Sequence, residues 1–253
     1  MKINILYTLL LSMLSLTATA KEFGFINTNG TPLLQNVINN DIVNVRIIIG
    51  KTYSASLNNY NIITSTNNEV SLKFASDTSI KCNENTSLNI DNYEQNTIHT
   101  TYPQETQYTD YSCNVSLLSG EVEVINNGIV NDTNNFYMNT RLACIIFGKG
   151  KFVVKSSNNS STFIVIEGNA TVMDTSSRKL YKIKDKDVIS FTPRPLLSGK
   201  AGEQLRKQSF ATTSQLDADD YKVLSTEFNT FQNEQRQYIF VTTDSANKLV
   251  KLK

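Results

Sequence analysis

The chain alternates apolar and polar positions over short spans. Val70, Leu72 and Phe74 are spaced two apart with Ser71 and Lys73 between them, and Thr86, Leu88 and Ile90 repeat the device. A period of two places alternate side chains on opposite faces, so each span predicts a half-buried β-strand with its polar face in solvent. Apolar or alternating runs at residues 36–38, 42–49 and 53–57 are of the same kind, separated by Asn, Ser, Gly and Thr.

The densest pattern runs from Met138 to Phe191. Gly150-Lys-Phe-Val-Val-Lys155 and Thr162-Phe-Ile-Val-Ile166 flank the polar Ser156-Ser-Asn-Asn-Ser-Ser161, which predicts a strand, a tight connection and a second strand. Glu167-Gly168 interrupts the second run before Ala170 to Met173 resumes it. A glycine inside a strand pattern marks a bend or bulge, so a corner is expected there. Val154, Phe163, Val165 and Val172 are the expected core. Val122 and Val124 alternate with Glu121 and Glu123 after Gly120, and shorter strands are expected at residues 180–183 and 187–191. Pro193 and Pro195 lack the N–H a ladder needs and are expected to stop the sheet.

Two stretches break the pattern. Residues 91–112 are dominated by Asn, Gln, Thr, Glu and Tyr, with Pro103 in the middle, and predict a long exposed loop. Loops of that length are uncommon in compact domains, which makes this one the candidate contact surface, with His99, Tyr102, Tyr108 and Tyr111 its candidate residues. Beyond Pro195, residues 196–213 show little pattern. Ser214, with Asp217 three residues on, resembles a helix N-cap, and Asp219 and Asp220 suit the positive end of a helix dipole. Tyr221, Leu224, Phe228 and Phe231 then follow at spacings of three, four and three, an apolar stripe on a helix reaching about Arg236 that either packs on the β domain or binds a partner. A last strand is expected from Tyr238 to Thr243. The fold class is therefore all-β, a two-layer sandwich or a solenoid, with a β domain over 21–195 and a C-terminal helix-plus-strand appendage over 196–253.

The first twenty residues place the chain. Lys2, an apolar stretch to about Leu16 and the small-x-small Ala18-Thr-Ala20 make a secretory signal peptide over 1–20, shorter than the run of about 20 apolar residues a membrane span needs. The expected mature protein starts near Lys21, is periplasmic or extracellular, and keeps no membrane span after cleavage. Its 23 basic side chains (24 less Lys2) balance 23 acidic ones, so charge gives no reason to expect nucleic acid as a partner. Export also puts Cys82, Cys113 and Cys144 in an oxidising compartment. Two arrangements suit them: a disulfide between Cys82 and Cys113, or three unpaired thiols. Cys144, in an apolar setting, reads as a small buried hydrophobe.

Catalytic chemistry is hard to place. His99 is the only histidine, and with three cysteines about thirty residues apart it gives no zinc-type ligand pair. Gly148-Lys-Gly-Lys151 opens a strand, whereas a phosphate loop opens a helix. Asp185 with Asp187, and Glu121 with Glu123, would share a solvated strand face, and the chain has no Trp to line a sugar groove around them. No catalytic, metal or cofactor-binding residue is expected, and no cofactor.

The order of these motifs resembles the FecR-like domain, the exported β domain of bacterial surface-signalling regulators. The matching residues are Ile62-Ile-Thr64 with Asn68, Val70-Ser-Leu-Lys-Phe74, Thr86-Ser-Leu88, Leu118-Ser-Gly-Glu-Val-Glu-Val124, Gly150-Lys-Phe-Val-Val154, Ile164-Val-Ile-Glu-Gly168 with Val172, and Lys186-Asp-Val188. They span about Tyr53 to Phe191. The chain departs from the family at Asn139-Thr140, at Lys151 and before Asp187, all in turns. With a signal peptide at residue 1, it is expected to lack the cytoplasmic sigma-regulator segment of the signalling members. The resemblance implies a sensory or binding module of signal transduction without its output segment. The expected function is an exported, non-catalytic module that contacts an envelope protein or polysaccharide through sheet edges or the 91–112 loop, alone or as a homo-oligomer. The alternatives are a self-assembling structural protein of the envelope and an enzyme acting on envelope polysaccharide.

Overall fold

A computed structural model describes residues 19–20, 22–38, 41–54, 59–74, 78–99, 106–127, 135–193, 209–242 and 247–252. In chain order the elements are β1 (Thr19–Ala20), β2 (Glu22–Asn29), β3 (Leu33–Ile38), β4 (Asp41–Val45), β5 (Thr52–Ser54) and β6 (Asn59–Ile63). Next come β7 (Glu69–Phe74), β8 (Thr78–Cys82), β9 (Ser87–His99), β10 (Thr106–Asn126), β11 (Asn135–Asn139) and β12 (Ala143–Ser156). The chain continues with β13 (Ser161–Asp174), β14 (Leu180–Lys184), β15 (Asp187–Pro193), β16 (Ser209–Gln215), α1 (Ala218–Arg236), β17 (Tyr238–Thr242) and β18 (Asn247–Lys251). The fold is all-β with a C-terminal helix.

Among the described residues sixteen strands form one sheet, with the path β16-β15-β13-β12-β11-β10-β8-β7-β2-β5 and side branches through β9 and β14. The long strands make the sheet turn corners. Residues 106–119 of β10 pair with β9, whereas residues 122–126 pair with β8 on one side and residues 120–126 with β12 on the other. The change of partner falls at Gly120, whose φ is 94°, a conformation open to glycine and strained for other residues. A Cβ there would sit 2.5 Å from Thr86 Cα and 2.7 Å from the Asn85 carbonyl oxygen. β13 repeats the device: residues 161–164 pair with β15 and residues 169–173 with β14. Gly168, φ 100°, stands between them at the corner read from the sequence.

The folded sheet encloses one large core. Val154, Phe163, Val165 and Val172 are fully buried in it, as expected. Aromatic rings run through it in contact, with centroids 5.1 Å apart for Phe74 and Tyr93, 4.8 Å for Phe136 and Phe147, and 5.0 Å for Phe147 and Phe152. A second cluster lies on the outer face of the same strands. Ile26, Ile125, Val153, Ile164 and Ile166 meet Phe228 and Phe231 of α1, Tyr238 of β17 and Leu249 of β18. The runs around Phe152 and Phe163 are thus unbroken in apolar character because both their faces are covered.

Several expectations are corrected. Residues 91–112 are strand over most of their length, because β9 and β10 pair backbone to backbone from Ser87 to His99 without needing an apolar face. The sheet does not stop at Pro193: that residue ends β15 opposite Ser209, where a missing donor is tolerated, and β16 adds a further strand. Ser214 is not the N-cap of α1 but a β16 residue opposite Val188. The cap is Asp217, whose carboxylate accepts from the backbone N–H of Asp219 (2.9 Å) and Asp220 (2.8 Å). Ser71 and Lys73, expected in solvent, are buried, and Lys73 Nζ donates to the Tyr238 carbonyl at 3.0 Å. The last expected strand, β17, pairs with β18 in a hairpin of its own.

Gly120→Ala is expected to lose at least about 1 kcal/mol in urea denaturation, since the new Cβ meets backbone at a positive φ. Phe163→Ala should lose about 3–5 kcal/mol by the same measurement. A Gly120→Ala variant as stable as the parent would contradict the corner.

Candidate functional site

The candidate contact segment forms the outer part of a two-stranded ribbon. β6 covers β9 only from Ser87 to Ile90, β1 reaches Gln95 and Asn96, and β11 covers β10 from Ser112 to Ser116. Past these limits Thr97, Ile98 and His99 pair with Tyr108, Gln107 and Thr106 and, among the described residues, with no other strand. Of the candidate residues, His99 stands opposite Thr106, Tyr108 opposite Thr97 and Tyr111 opposite Gln95. Tyr102 lies outside the described residues. The ribbon therefore brings His99, Tyr108 and Tyr111 onto one arm, with a register shift between Tyr108 and Asp110. Below it, Tyr93 and Cys113 stand opposite each other and are fully buried, so the arm is rooted in the core.

The cysteines are not joined. Cys82 lies in β8 opposite Val122 of β10, and Cys113 lies nine residues earlier on β10, opposite Tyr93 and Phe136. At about 3.3 Å per residue those nine residues span on the order of 30 Å. Cys82, Cys113 and Cys144 are free and buried. Burial pushes all three thiols above their ordinary pKa, and the Asp91 carboxylate adds to the effect at Cys113. They fill core space and are poor nucleophiles.

Glu123, expected on a solvated strand face, is instead buried within a group of charged residues. Beneath α1, Lys81 Nζ lies 3.4 Å from Glu123 Oε1 and 3.6 Å from Glu69 Oε2. Glu123 is only 2% exposed. Burial pushes its carboxyl above the ordinary range, Lys81 pulls the other way, and Glu227 of α1 adds repulsion. Burial alone would lower the Lys81 ammonium, but Glu123 and Glu69 outweigh it and hold the group above its ordinary value. Beside this pair a cavity of about 250 Å³ opens between α1 and strands β2, β7 and β8, lined by Asn27, Glu69, Lys81, Glu227 and Glu234 among others. Asn27 Nδ2 donates to Glu234 Oε1 at 3.2 Å and ties β2 to the helix. One sign in the sequence pointed this way: Ile125, two residues on and on the same strand face as Glu123, is apolar.

The other paired carboxylates hold structure. Glu121 bridges to Lys155 at 2.7 Å. Asp185 accepts from the Gly168 N–H at the β13 corner, while Asp187 accepts from the Lys184 N–H at 2.8 Å and from Gln215 Nε2. Among the described residues no group of three His, Cys, Asp or Glu side chains is placed to hold a metal ion. No described helix is long and apolar enough to cross a membrane.

No family model matches the chain, and no curated protein matches it. Solved structures that do match include two crystal structures of a "putative anti-sigma factor" from Parabacteroides distasonis ATCC 8503. One is 13% identical and covers 77% of this chain and 100% of its own, with a TM-score of 0.44. The other is 12% identical and covers 76% and 99%, with a TM-score of 0.43.

Two measurements check this geometry. A thiol reagent should find no reactive cysteine in the native protein and three after denaturation, whereas a Cys82–Cys113 bridge would leave one. Lys81→Met strands the Glu123 carboxylate and should destabilise the fold by about 3 kcal/mol at neutral pH. A raised folded pKa means that the folded state binds the proton more tightly. Stability linked to Glu123 is therefore lost as pH rises from its ordinary 4.5 through the raised value. Lys81→Met should steepen that fall and Glu123→Gln should remove it, as read by denaturation across pH.

Proposed function

We propose that this chain is an exported, non-catalytic binding module of the cell envelope, and that the outer part of the β9–β10 ribbon docks a segment of another envelope protein. The observation that carries this reading is the ribbon itself. Residues 97–99 and 106–108 pair with each other and with no other described strand, so each carries a row of backbone N–H and C=O groups on its outer side. Such a row is a template for an added strand, and strand addition recognises a polypeptide because only a polypeptide supplies the matching row. The FecR-like order of motifs supports a sensory role, and the signal-peptide pattern over residues 1–20 supports export. The non-catalytic part of the reading rests on what the reactive groups already do: the thiols are buried, and the close carboxylates hold turns or ion pairs.

The test compares the mature chain with a variant in which residues 97–108 are replaced by an Asn-Gly turn, which closes the ribbon just above its buried root. Each is used to capture partners from envelope extract. The parent should retain a defined protein that the shortened variant releases, with the two unfolding at similar temperatures. Equal capture by both, or capture of polysaccharide alone, would overturn the reading, as would finding the chain only in the cytoplasm on fractionation.

A further inference from the structure

The free edges of the sheet are not equally guarded. Native edge strands are protected from pairing by charged side chains, proline, bulges or short length. β14 carries Lys182 and Lys184, β4 begins at Asp41, and β5 is three residues long. β16 has none of these protections. Its seven residues, Ser209–Gln215, include no charge, no proline and no glycine. They run against β15 from Pro193↔Ser209 to Asp187↔Gln215 without a register shift. Thr212, Thr213 and Ser214 are exposed, and among the described residues no strand pairs with the other side of β16.

We propose that this edge pairs with the same edge of a second copy of the chain. The inference rests on the reading of exposed sheet edges as contact surfaces and names one such edge and its occupant. A two-fold axis perpendicular to the sheet allows antiparallel pairing centred on one residue. Centred on Thr212, it sets Thr212 opposite Thr212 of the second copy, Ala211 opposite Thr213, Phe210 opposite Ser214 and Ser209 opposite Gln215. All seven residues then pair, no like charges meet, and the central Thr–Thr contact is a favourable cross-strand pair. An uncharged edge offers nothing to select a charged partner, whereas it is complementary to itself in length and polarity. The 23 basic and 23 acidic side chains of the mature chain balance, so net charge does not oppose the approach of two copies. Because β16 ends the strand path, pairing there would join the sheets of two copies into one and give the closed two-fold interface most common among homo-oligomers.

Sedimentation of the full mature chain over a concentration series should show a monomer–dimer equilibrium. Thr212→Lys places two ammonium groups face to face at the axis and should weaken the dimer at least about tenfold; Thr212→Asp should do the same. An equimolar mixture of the two should recover it, because Lys then faces Asp. Position 212 is exposed, so both variants should unfold at the parent's temperature. Under mild oxidation Thr212→Cys should cross-link two chains, whereas Phe210→Cys, set opposite Ser214, should not. A parent that stays monomeric throughout, or Lys and Asp variants that each dimerise as tightly as the parent, would overturn the proposal. A monomer that still captures an envelope protein through the β9–β10 ribbon would overturn self-pairing alone and leave the binding reading standing.

Discussion

The structure depends on strands β10, β12 and β13 being buried on both faces. Val122, Val124, Phe152, Val154, Phe163 and Val165 point into the large core, while Ile125, Val153, Ile164 and Ile166 point outward. Left uncovered, that outward row would be a contiguous apolar patch, and each of its side chains gains roughly 1.5–3 kcal/mol on burial. α1 and the β17–β18 hairpin supply the cover through Phe228, Phe231, Tyr238 and Leu249. The C-terminal helix and hairpin thus take part in burying this outer face of the sheet. The Lys81–Glu123 pair lies in the same covered layer, where an ion pair adds little net stability but penalises any placement that leaves one charge unpaired.

The corners follow from the same constraint. A strand that must bury both faces for part of its length, and pair with different neighbours beyond, has to bend sharply where the partner changes. Gly120 and Gly168 stand at those changes with positive φ. At Gly168 the bend is also held by its N–H donating to Asp185, which fixes the turn leading into β15. The Gly120 corner sends the first half of β10 away from β8 and β12 to pair with β9. Without it, the ribbon that carries His99, Tyr108 and Tyr111 would have no root in the core.

What could be read in the sequence tracks burial. The Gly150 to Met173 region was legible because its apolar runs are nearly continuous, and the helix was legible because Tyr221, Leu224, Phe228 and Phe231 keep helical spacing. β16 was not, because Ser209–Gln215 is an edge strand mainly of Ser, Thr and Gln, with Phe210 and Ala211 on opposite faces and no continuous apolar face. Residues 91–112 were hidden for a related reason: polar strands held by backbone pairing look like a loop when only side chains are read. Glu123 was misplaced because alternation shows which residues share a face but not what covers it. Separation along the chain left a Cys82–Cys113 bridge open, because it does not say which residues of β8 and β10 stand opposite; in the structure both thiols are free.

The illegible strands and the candidate contact surfaces are the same segments, and one physical cause accounts for both. A strand with a buried apolar face is held in register by that face, since a slip of one residue would turn the whole apolar set to solvent. The outer β9–β10 ribbon and β16 are mainly polar, so their register rests on backbone hydrogen bonds and turn geometry. Backbone groups on their outer sides are equivalent to those already paired and can accept a further strand without disturbing the core beneath. The feature that hides these segments from hydrophobic periodicity therefore suits them to pair with another chain.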